Sequence, residues 1–196
     1  MCLIIHQPAG VQLTASLLSD IHKSNPDGFG AMYAENGRVH VLHCMDDEAD
    51  ICATYADHLS QRACVIHFRR QTHGRISLDN CHPYRVTNDI WLAHNGVLAC
   101  SNPVVPAKSD TWHFIRYVLQ PALLAAPGLL LDKGFRSCLG NLIGRGNKLA
   151  LMRADGEVVI INRGSGFEHA GIWFSNDYSF DLERLEELGG VAACLQ

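Results

Sequence analysis

The length, composition and charge of this chain exclude several classes of protein. Of its 196 residues, 47% are hydrophobic and 18% are charged, and the formal net charge is −4. These proportions predict an ordinary globular protein with enough apolar material for a core, and they exclude a disordered chain. The negative balance gives no reason to expect nucleic acid as the main partner. We expect residues 2–196 to form a single domain.

Neither the apolar runs nor the cysteines indicate secretion or a membrane anchor. The run at 3–5 is too short for a signal peptide, and the longest apolar stretch, 122–131, is interrupted by Pro127-Gly128. The eight cysteines are scattered and form no C-x-x-C pair. That pattern is typical of small buried hydrophobic residues in a reducing compartment. We therefore expect a cytoplasmic protein.

The first sixty residues predict short groups of strands and helices. In chain order these are a strand over 2–6, a helix over 11–23, strands over 29–34 and 38–44, and a helix over 46–59. The two middle strands flank Glu35-Asn36-Gly37, a hairpin signal because Asn-Gly adopts the positive φ angles of a tight turn. Asn25-Pro26-Asp27-Gly28 ends the first helix, since turn residues of this kind do not continue one.

The rest of the chain also predicts groups of strands and helices. The predicted elements are strands over 63–68 and 90–94, helices over 111–125 and 129–142, strands over 148–153, 157–161 and 173–175, and a helix over 180–188. Ser109-Asp110 is a good N-cap pair for the helix over 111–125. Because the strands come as hairpins and runs, without strict β-α-β alternation, the pattern predicts antiparallel sheets covered by helices.

Cys2 is a candidate nucleophile because of its position. A small residue after the initiator methionine normally allows removal of Met1, which would leave Cys2 with both a thiol and a free α-amine. The thiol is a strong nucleophile once ionised, and an amine with a reference pKa of about 7.7–8.0 can serve as its base. N-terminal nucleophile enzymes use this arrangement. Taken alone, a cysteine at position 2 is better explained by chance.

Several sequence blocks downstream of Cys2 favour the catalytic interpretation. In chain order they are Asn25-Pro26-Asp27-Gly28-Phe29-Gly30, His67-x-Arg69-x-x-Thr72-x-Gly74, Asn80-x-His82-Pro83, His94-Asn95-Gly96 and Ser109-Asp110. Each block alone is a weak signal, but their order after a penultimate cysteine is specific. The set resembles the class II glutamine amidotransferase domain, an N-terminal nucleophile family, from Cys2 to about Thr111.

The resemblance implies catalytic roles for residues at the two ends of this region. Cys2 matches the nucleophile that attacks the side-chain amide of glutamine. The Asn95 side chain and the Gly96 backbone N–H match the family's oxyanion hole. An Asn-Gly turn suits that role, because it can aim an amide and an unhindered N–H at one point.

The resemblance also implies how the substrate is held. Arg69 matches the residue that binds the α-carboxylate of glutamine, for which a planar guanidinium is well suited. Asp110 matches the carboxylate that takes the α-ammonium. Thr72 and His73 belong to the same loop as Arg69 and are expected to contact the substrate.

The fold and reaction that the resemblance implies are specific. The fold would be α+β, a four-layer αββα N-terminal-nucleophile hydrolase sandwich with two antiparallel sheets. The reaction would be hydrolysis of the glutamine side-chain amide through a γ-glutamyl thioester on Cys2, with no cofactor or metal. Family members that use ammonia within one chain have a fused synthase domain. Residues 1–196 contain none, so we expect the ammonia to pass to a synthase or ligase that is a separate chain.

Two other functions stay open at this point. A stand-alone γ-glutamyl amidase would keep Arg69 and Asp110 but leave the site open beyond the scissile amide. A non-catalytic binding protein could retain the fold after losing activity, and Cys81, His82, His94 and Cys100 could then hold zinc, although their spacing matches no standard ligand pattern.

Structural explanations also exist for individual residues. Asp110 beside Ser109 is explained by helix capping alone, and His67 and His94 at strand ends are typical of buried, hydrogen-bonded histidines. Arg70 departs from the family pattern, because relatives that carry a synthase domain often have an aromatic residue there. A surface role is the simplest interpretation of Arg70.

Overall fold

The strands form two antiparallel sheets. The computed structural model describes residues 1–45, 47–71, 76–99 and 104–189. The strands are β1 (Leu3–Gln7), β2 (Phe29–Glu35), β3 (Arg38–Cys44), β4 (Cys64–Phe68), β5 (Tyr84–Arg85), β6 (Ile90–Asn95), β7 (Lys148–Arg153), β8 (Val158–Ile161), β9 (Phe167–His169) and β10 (Ile172–Phe174). Within the described ranges, one sheet has the order β3-β2-β4-β1-β10-β9 and the other β5-β6-β7-β8.

Helices flank the outer faces of the two sheets. They are α1 (Ala15–Ser24), α2 (Glu48–His58), α3 (Asp110–Phe114), α4 (Gln120–Ala125), α5 (Lys133–Ile143) and α6 (Glu183–Gly189). A π-helical turn, Ile115–Leu119, joins α3 to α4, and 3₁₀ turns occur at Leu78–Asn80, Pro127–Leu131 and Arg163–Ser165. No helix in the described part of the chain is long and apolar enough to cross a membrane.

The alternation of side chains along β1 shows how the layers are built. Leu3 and Ile5 face a core shared with α1, α2 and α6, whereas Ile4 faces the other sheet. The core between the sheets draws on both of them: Ile4, Met32, Val65, Ala93, Ala150, Met152 and Trp173. The second sheet packs its other face against Leu123 of α4 and Ile143 of α5. The layers run helix, sheet, sheet, helix, which confirms the αββα sandwich.

Most predicted elements are confirmed, with bounds that differ by a few residues. Asn36 and Gly37 have φ angles of 53° and 71°, as the hairpin turn requires. The helix expected over 111–125 begins at Asp110, with Ser109 as its N-cap, and is divided by the π-helical turn. The short strands β5 and β9 were not predicted, because two or three residues carry no periodicity.

Candidate active site

Four strand ends meet at one edge of the sandwich. Cys2 directly precedes β1, and Arg69 directly follows β4, the antiparallel neighbour of β1. Asn95 is the last residue of β6 in the second sheet, and Ser175 directly follows β10 in the first. A 2.7 Å hydrogen bond from Asn95 Nδ2 to Ser175 Oγ joins the two sheets here. The topology therefore brings the predicted nucleophile, Arg69 and Asn95 to the same edge.

The Cys2 thiol lies against the main chain of Arg70. Its sulfur is 3.3 Å from the Arg70 nitrogen, whose N–H donates to it, and 3.3 Å from the Arg70 carbonyl oxygen, to which the thiol donates. Burial raises the pKa of the Cys2 thiol, and the bond to the Arg70 backbone, the N-terminal charge and Arg69 partly offset this rise. The resting thiol is thus well held but protonated, and it needs a base before it can attack.

Arg70 lies at the surface, as expected, but it has a defined position. Its side chain donates a 2.8 Å bond from Nη1 to the carbonyl oxygen of Ser24, the last residue of α1. A cation suits the carbonyl-rich end of a helix. The same residue therefore anchors its loop to α1 through its side chain and contacts Cys2 through its main chain.

Arg69 is held by the turn that ends the first helix region. It is only 4% exposed. Its N–H donates to the Gly28 carbonyl at 2.8 Å, and its own carbonyl accepts from Asp27 N at 3.1 Å. Gly28 has a φ of 141°, and a Cβ there would lie 3.0 Å from Cys81 Sγ. Glycine at position 28 thus allows the close approach that fixes the backbone of Arg69.

Asn95 and Gly96 form a buried turn behind the edge. Asn95 is 1% exposed and Gly96 has a φ of 135°. A Cβ on Gly96 would overlap Asn147 Oδ1. Asn147 Oδ1 also lies 2.9 Å from His94 Nε2, while His94 Nδ1 lies 2.8 Å from Thr111 Oγ1. Residue 96 therefore has to be glycine for both steric and conformational reasons.

The Asp110 carboxylate already makes hydrogen bonds to its own chain. One oxygen accepts from Leu98 N at 2.7 Å, and the other accepts from Thr111 N at 2.8 Å and Thr111 Oγ1 at 3.3 Å. The Ser109 hydroxyl caps the helix by accepting from Trp112 N. These contacts fix the carboxylate between the loop after β6 and the start of α3. Thr72 and His73, the two other predicted substrate contacts, lie outside the described residues.

Three buried histidines pack beside the site. The His67 ring lies 4.3 Å from the His82 ring between centroids, and His67 Nε2 is 3.1 Å from the His94 carbonyl oxygen. Burial, reinforced by the neighbouring His94, lowers the pKa of His67 to about 3. Burial also holds the pKa of His82 well below its usual range. These rings are neutral packing groups near neutral pH.

The hypothetical zinc site gains no support from this geometry. In the described part of the chain, no group of three or more His, Cys, Asp or Glu side chains is placed to hold a metal ion. Both ring nitrogens of His94 already have oxygen partners, and Cys81 donates to the Phe29 carbonyl at 3.3 Å. Cys100 lies outside the described residues.

Two residues directly after β10 were not predicted to belong to the site. Ser175 Oγ accepts from Ile4 N at 2.8 Å as well as from Asn95, and Asn176 Nδ2 donates to the Cys2 carbonyl at 2.8 Å. Both are buried. The available signal was that two polar residues directly follow an apolar strand, at the end that pairs with the beginning of β1.

The sequence matches the family model of class II glutamine amidotransferases over residues 4–113, which is more than half of the chain. Among curated proteins, none matches it significantly. Two solved structures are similar at low sequence identity. Glutamine phosphoribosylpyrophosphate amidotransferase from B. subtilis, complexed with ADP and GMP, is 12% identical with a TM-score of 0.49, covering 96% of this chain and 44% of that one.

The second similar structure is a glutamine aminotransferase class-II domain protein from Silicibacter pomeroyi. It is 11% identical with a TM-score of 0.42, and the match covers 79% of this chain and 73% of that one. The match to the B. subtilis enzyme shows that this chain spans less than half the length of that protein. The family match includes the segments that carry Arg69, Asn95, Gly96 and Asp110. The chain belongs to the class II glutamine amidotransferases.

Proposed function

We propose that this chain hydrolyses the side-chain amide of glutamine through a γ-glutamyl thioester on Cys2, giving glutamate and ammonia. The observation that carries the proposal is the meeting of Cys2, Arg69 and Asn95 at one edge of the sandwich. A nucleophile, a cation and an amide donor converge there from three different strands. Acyl transfer requires this combination of groups.

The α-amine of Cys2 would act as the base once Met1 has been removed. While Met1 is attached, the nitrogen of Cys2 is an amide and is not basic. Met1 is 51% exposed, so it lies at the surface. The free amine, acting through a water molecule, would take the thiol proton, and the thiolate would attack the carbonyl carbon of the glutamine amide.

The tetrahedral intermediate would be stabilised by two donors. Asn95 and the Gly96 N–H would donate hydrogen bonds to the oxygen that becomes negative. When the carbon–nitrogen bond breaks, the nitrogen takes the proton from the amine and leaves as ammonia. A water molecule, deprotonated by the same amine, would then attack the thioester, and the carbon–sulfur bond would break to release glutamate and restore the Cys2 thiol.

Arg69 and Asp110 would select an α-amino acid by its two charges. Arg69 would bind the α-carboxylate as a charge-assisted pair. The Asp110 carboxylate uses three contacts to Leu98 and Thr111. A carboxylate has about four lone-pair sites, so one remains for the α-ammonium. We propose Thr72 and His73 as further contacts, and a separate synthase or ligase chain as the acceptor of the ammonia.

An assay of ammonia and glutamate release from L-glutamine tests the proposal. Protein that mass spectrometry shows to lack Met1 should turn over glutamine, and Cys2→Ala should reduce turnover by at least about a thousandfold. Cys138→Ala, which removes an exposed thiol on α5, is the matched control and should keep full activity. Protein that retains Met1 should be inactive.

Two results would contradict the proposal. Full turnover by protein that retains Met1 would exclude the N-terminal amine as the base. Turnover of γ-glutamyl peptides, with none of glutamine, would favour the stand-alone amidase instead.

A further inference from the structure

The Ser175 hydroxyl connects three elements of the site. Ser175 is fully buried, and its Oγ accepts from Ile4 N of β1 at 2.8 Å and from Asn95 Nδ2 of β6 at 2.7 Å. Its backbone N–H also donates to the Ile4 carbonyl at 2.9 Å. The position of Ser175 is therefore fixed by β1, and its hydroxyl reaches across to the second sheet.

One acceptor and one donor beside this hydroxyl lack hydrogen-bond partners among the described residues, which leaves the hydrogen bonding unbalanced. Within the described residues, Asn95 Oδ1 is buried and has no hydrogen-bond partner. Both short contacts to Ser175 Oγ come from N–H groups. Among the described groups, the hydroxyl proton of Ser175 therefore has no acceptor. A buried donor and a buried acceptor are left unpaired although they belong to residues already in contact.

A half-turn of the Asn95 amide about its Cβ–Cγ bond removes this imbalance. The half-turn exchanges Oδ1 and Nδ2, groups of nearly the same size. Ser175 would then accept from Ile4 N and donate its proton to Asn95 Oδ1. The Asn95 Nδ2 group would occupy the position where Oδ1 now lies without a partner, and it would present its N–H groups there.

We propose that Ser175 is a positioning residue that sets this orientation of the Asn95 amide. The Ile4 N–H can only donate, so it makes Oγ an acceptor on one side and leaves the hydroxyl proton for Asn95 Oδ1. The amide nitrogen of Asn95 is thereby turned to the position that Oδ1 now occupies, where it donates to the oxyanion of the tetrahedral intermediate. This inference rests on the proposed function, in which Asn95 is an oxyanion donor.

Kinetics of single and double variants test the inference. Ser175→Ala should lower kcat for L-glutamine by at least about tenfold with little change in KM, less than the 10²–10³-fold expected when an oxyanion donor is itself removed. In an Asn95→Ala background, Ser175→Ala should cause no further loss of kcat. If Ser175 acted only by holding β1 through Ile4, its loss would have the same effect in both backgrounds, and the inference would be wrong.

Ser179→Ala is the matched control. Ser179 is 3% exposed, and its hydroxyl also accepts from an asparagine side chain, Asn25 Nδ2, at 2.7 Å. Its loss should leave kcat unchanged, because it does not contact Asn95. An equal fall of kcat in Ser179→Ala and Ser175→Ala would show a general packing effect and overturn the inference.

A crystal structure of the wild-type chain at atomic resolution tests the orientation without any activity. The refined bond from Cγ to each amide atom distinguishes oxygen from nitrogen. Oxygen facing Ser175 is the expected result, and nitrogen facing Ser175 would overturn the inference. Absence of glutamine turnover in the wild type would defeat the proposed function, and the crystal structure would still decide the amide orientation.

Discussion

Arg69 and Asn95 are buried at the same edge, but they would act on different parts of glutamine. Arg69 would hold the α-carboxylate in both the ground state and the transition state, whereas Asn95 would donate to an oxygen that becomes charged only in the transition state. Uniform binding affects KM, and binding confined to the transition state affects kcat. The two residues should therefore be separable by kinetics.

Alanine variants should show this separation. Arg69→Ala should chiefly raise KM for glutamine, by roughly tenfold to a hundredfold, since a charge-assisted hydrogen bond contributes about 1.5–3 kcal/mol. Asn95→Ala should lower kcat by roughly 10²–10³-fold. Circular dichroism before each assay would confirm that both variants are folded. A folded Asn95→Ala variant with wild-type kcat would show that Asn95 is not an oxyanion donor.

At the scale of strands and helices, the sequence predicted what local patterns determine. The hairpin at Asn36-Gly37 was recognisable because these two residues adopt the positive φ angles of a tight turn. The start of α2 was recognisable because Asp47 accepts hydrogen bonds from the first N–H groups of the helix. The π-helical turn Ile115–Leu119 was not predictable, because its residues are ordinary helix residues and tertiary packing decides their hydrogen bonding.

The candidate site was predictable only as far as its sequence blocks extend. Cys2, Arg69, Asn95 and Gly96 match a recognisable family pattern, and the structure places them at strand ends on one edge of the sandwich. Ser175 was not predictable, because it acts through contacts with residues 80 and 171 positions away. Two polar residues after an apolar strand mark a strand end, but they do not show which distant residues Ser175 contacts.

Gly96, in the turn after β6, should tolerate an added Cβ less well than Gly37 in the β2–β3 hairpin. Gly96 combines a φ of 135° with direct overlap between an added Cβ and Asn147, whereas Gly37, with a φ of 71°, has nothing within 4 Å of its added Cβ. Gly37→Ala should cost about 1 kcal/mol in free energy of unfolding, from the left-handed backbone alone. Gly96→Ala should cost at least about 2 kcal/mol more, because strain and steric overlap add.

Urea unfolding of the two glycine variants, followed by tryptophan fluorescence, measures both costs. The comparison is controlled, since both substitutions add one methyl group at a positive φ. Equal losses for the two variants would mean that the Asn147 side chain moves away without cost and that the turn tolerates a Cβ.

For the whole molecule, two buried histidines should contribute to the loss of stability in acid. His67 and His82 pack together at the junction of the sheets, and the pKa of each is lowered, chiefly by burial. In the unfolded chain a histidine takes up a proton near pH 6.5. Below that pH the unfolded state therefore binds protons that the folded state does not, and the free energy of unfolding falls as the pH falls.

The fall should continue from about pH 6.5 towards pH 3, where His67 itself titrates in the folded protein. Each such histidine contributes a slope of up to about 1.4 kcal/mol per pH unit. His82→Phe should reduce the slope by roughly that amount, because a phenyl ring can pack against His67 and Tyr84 and binds no proton. Urea unfolding at several pH values between 7 and 4 measures these slopes, and an unchanged slope in His82→Phe would show that His82 does not contribute to the loss of stability in acid.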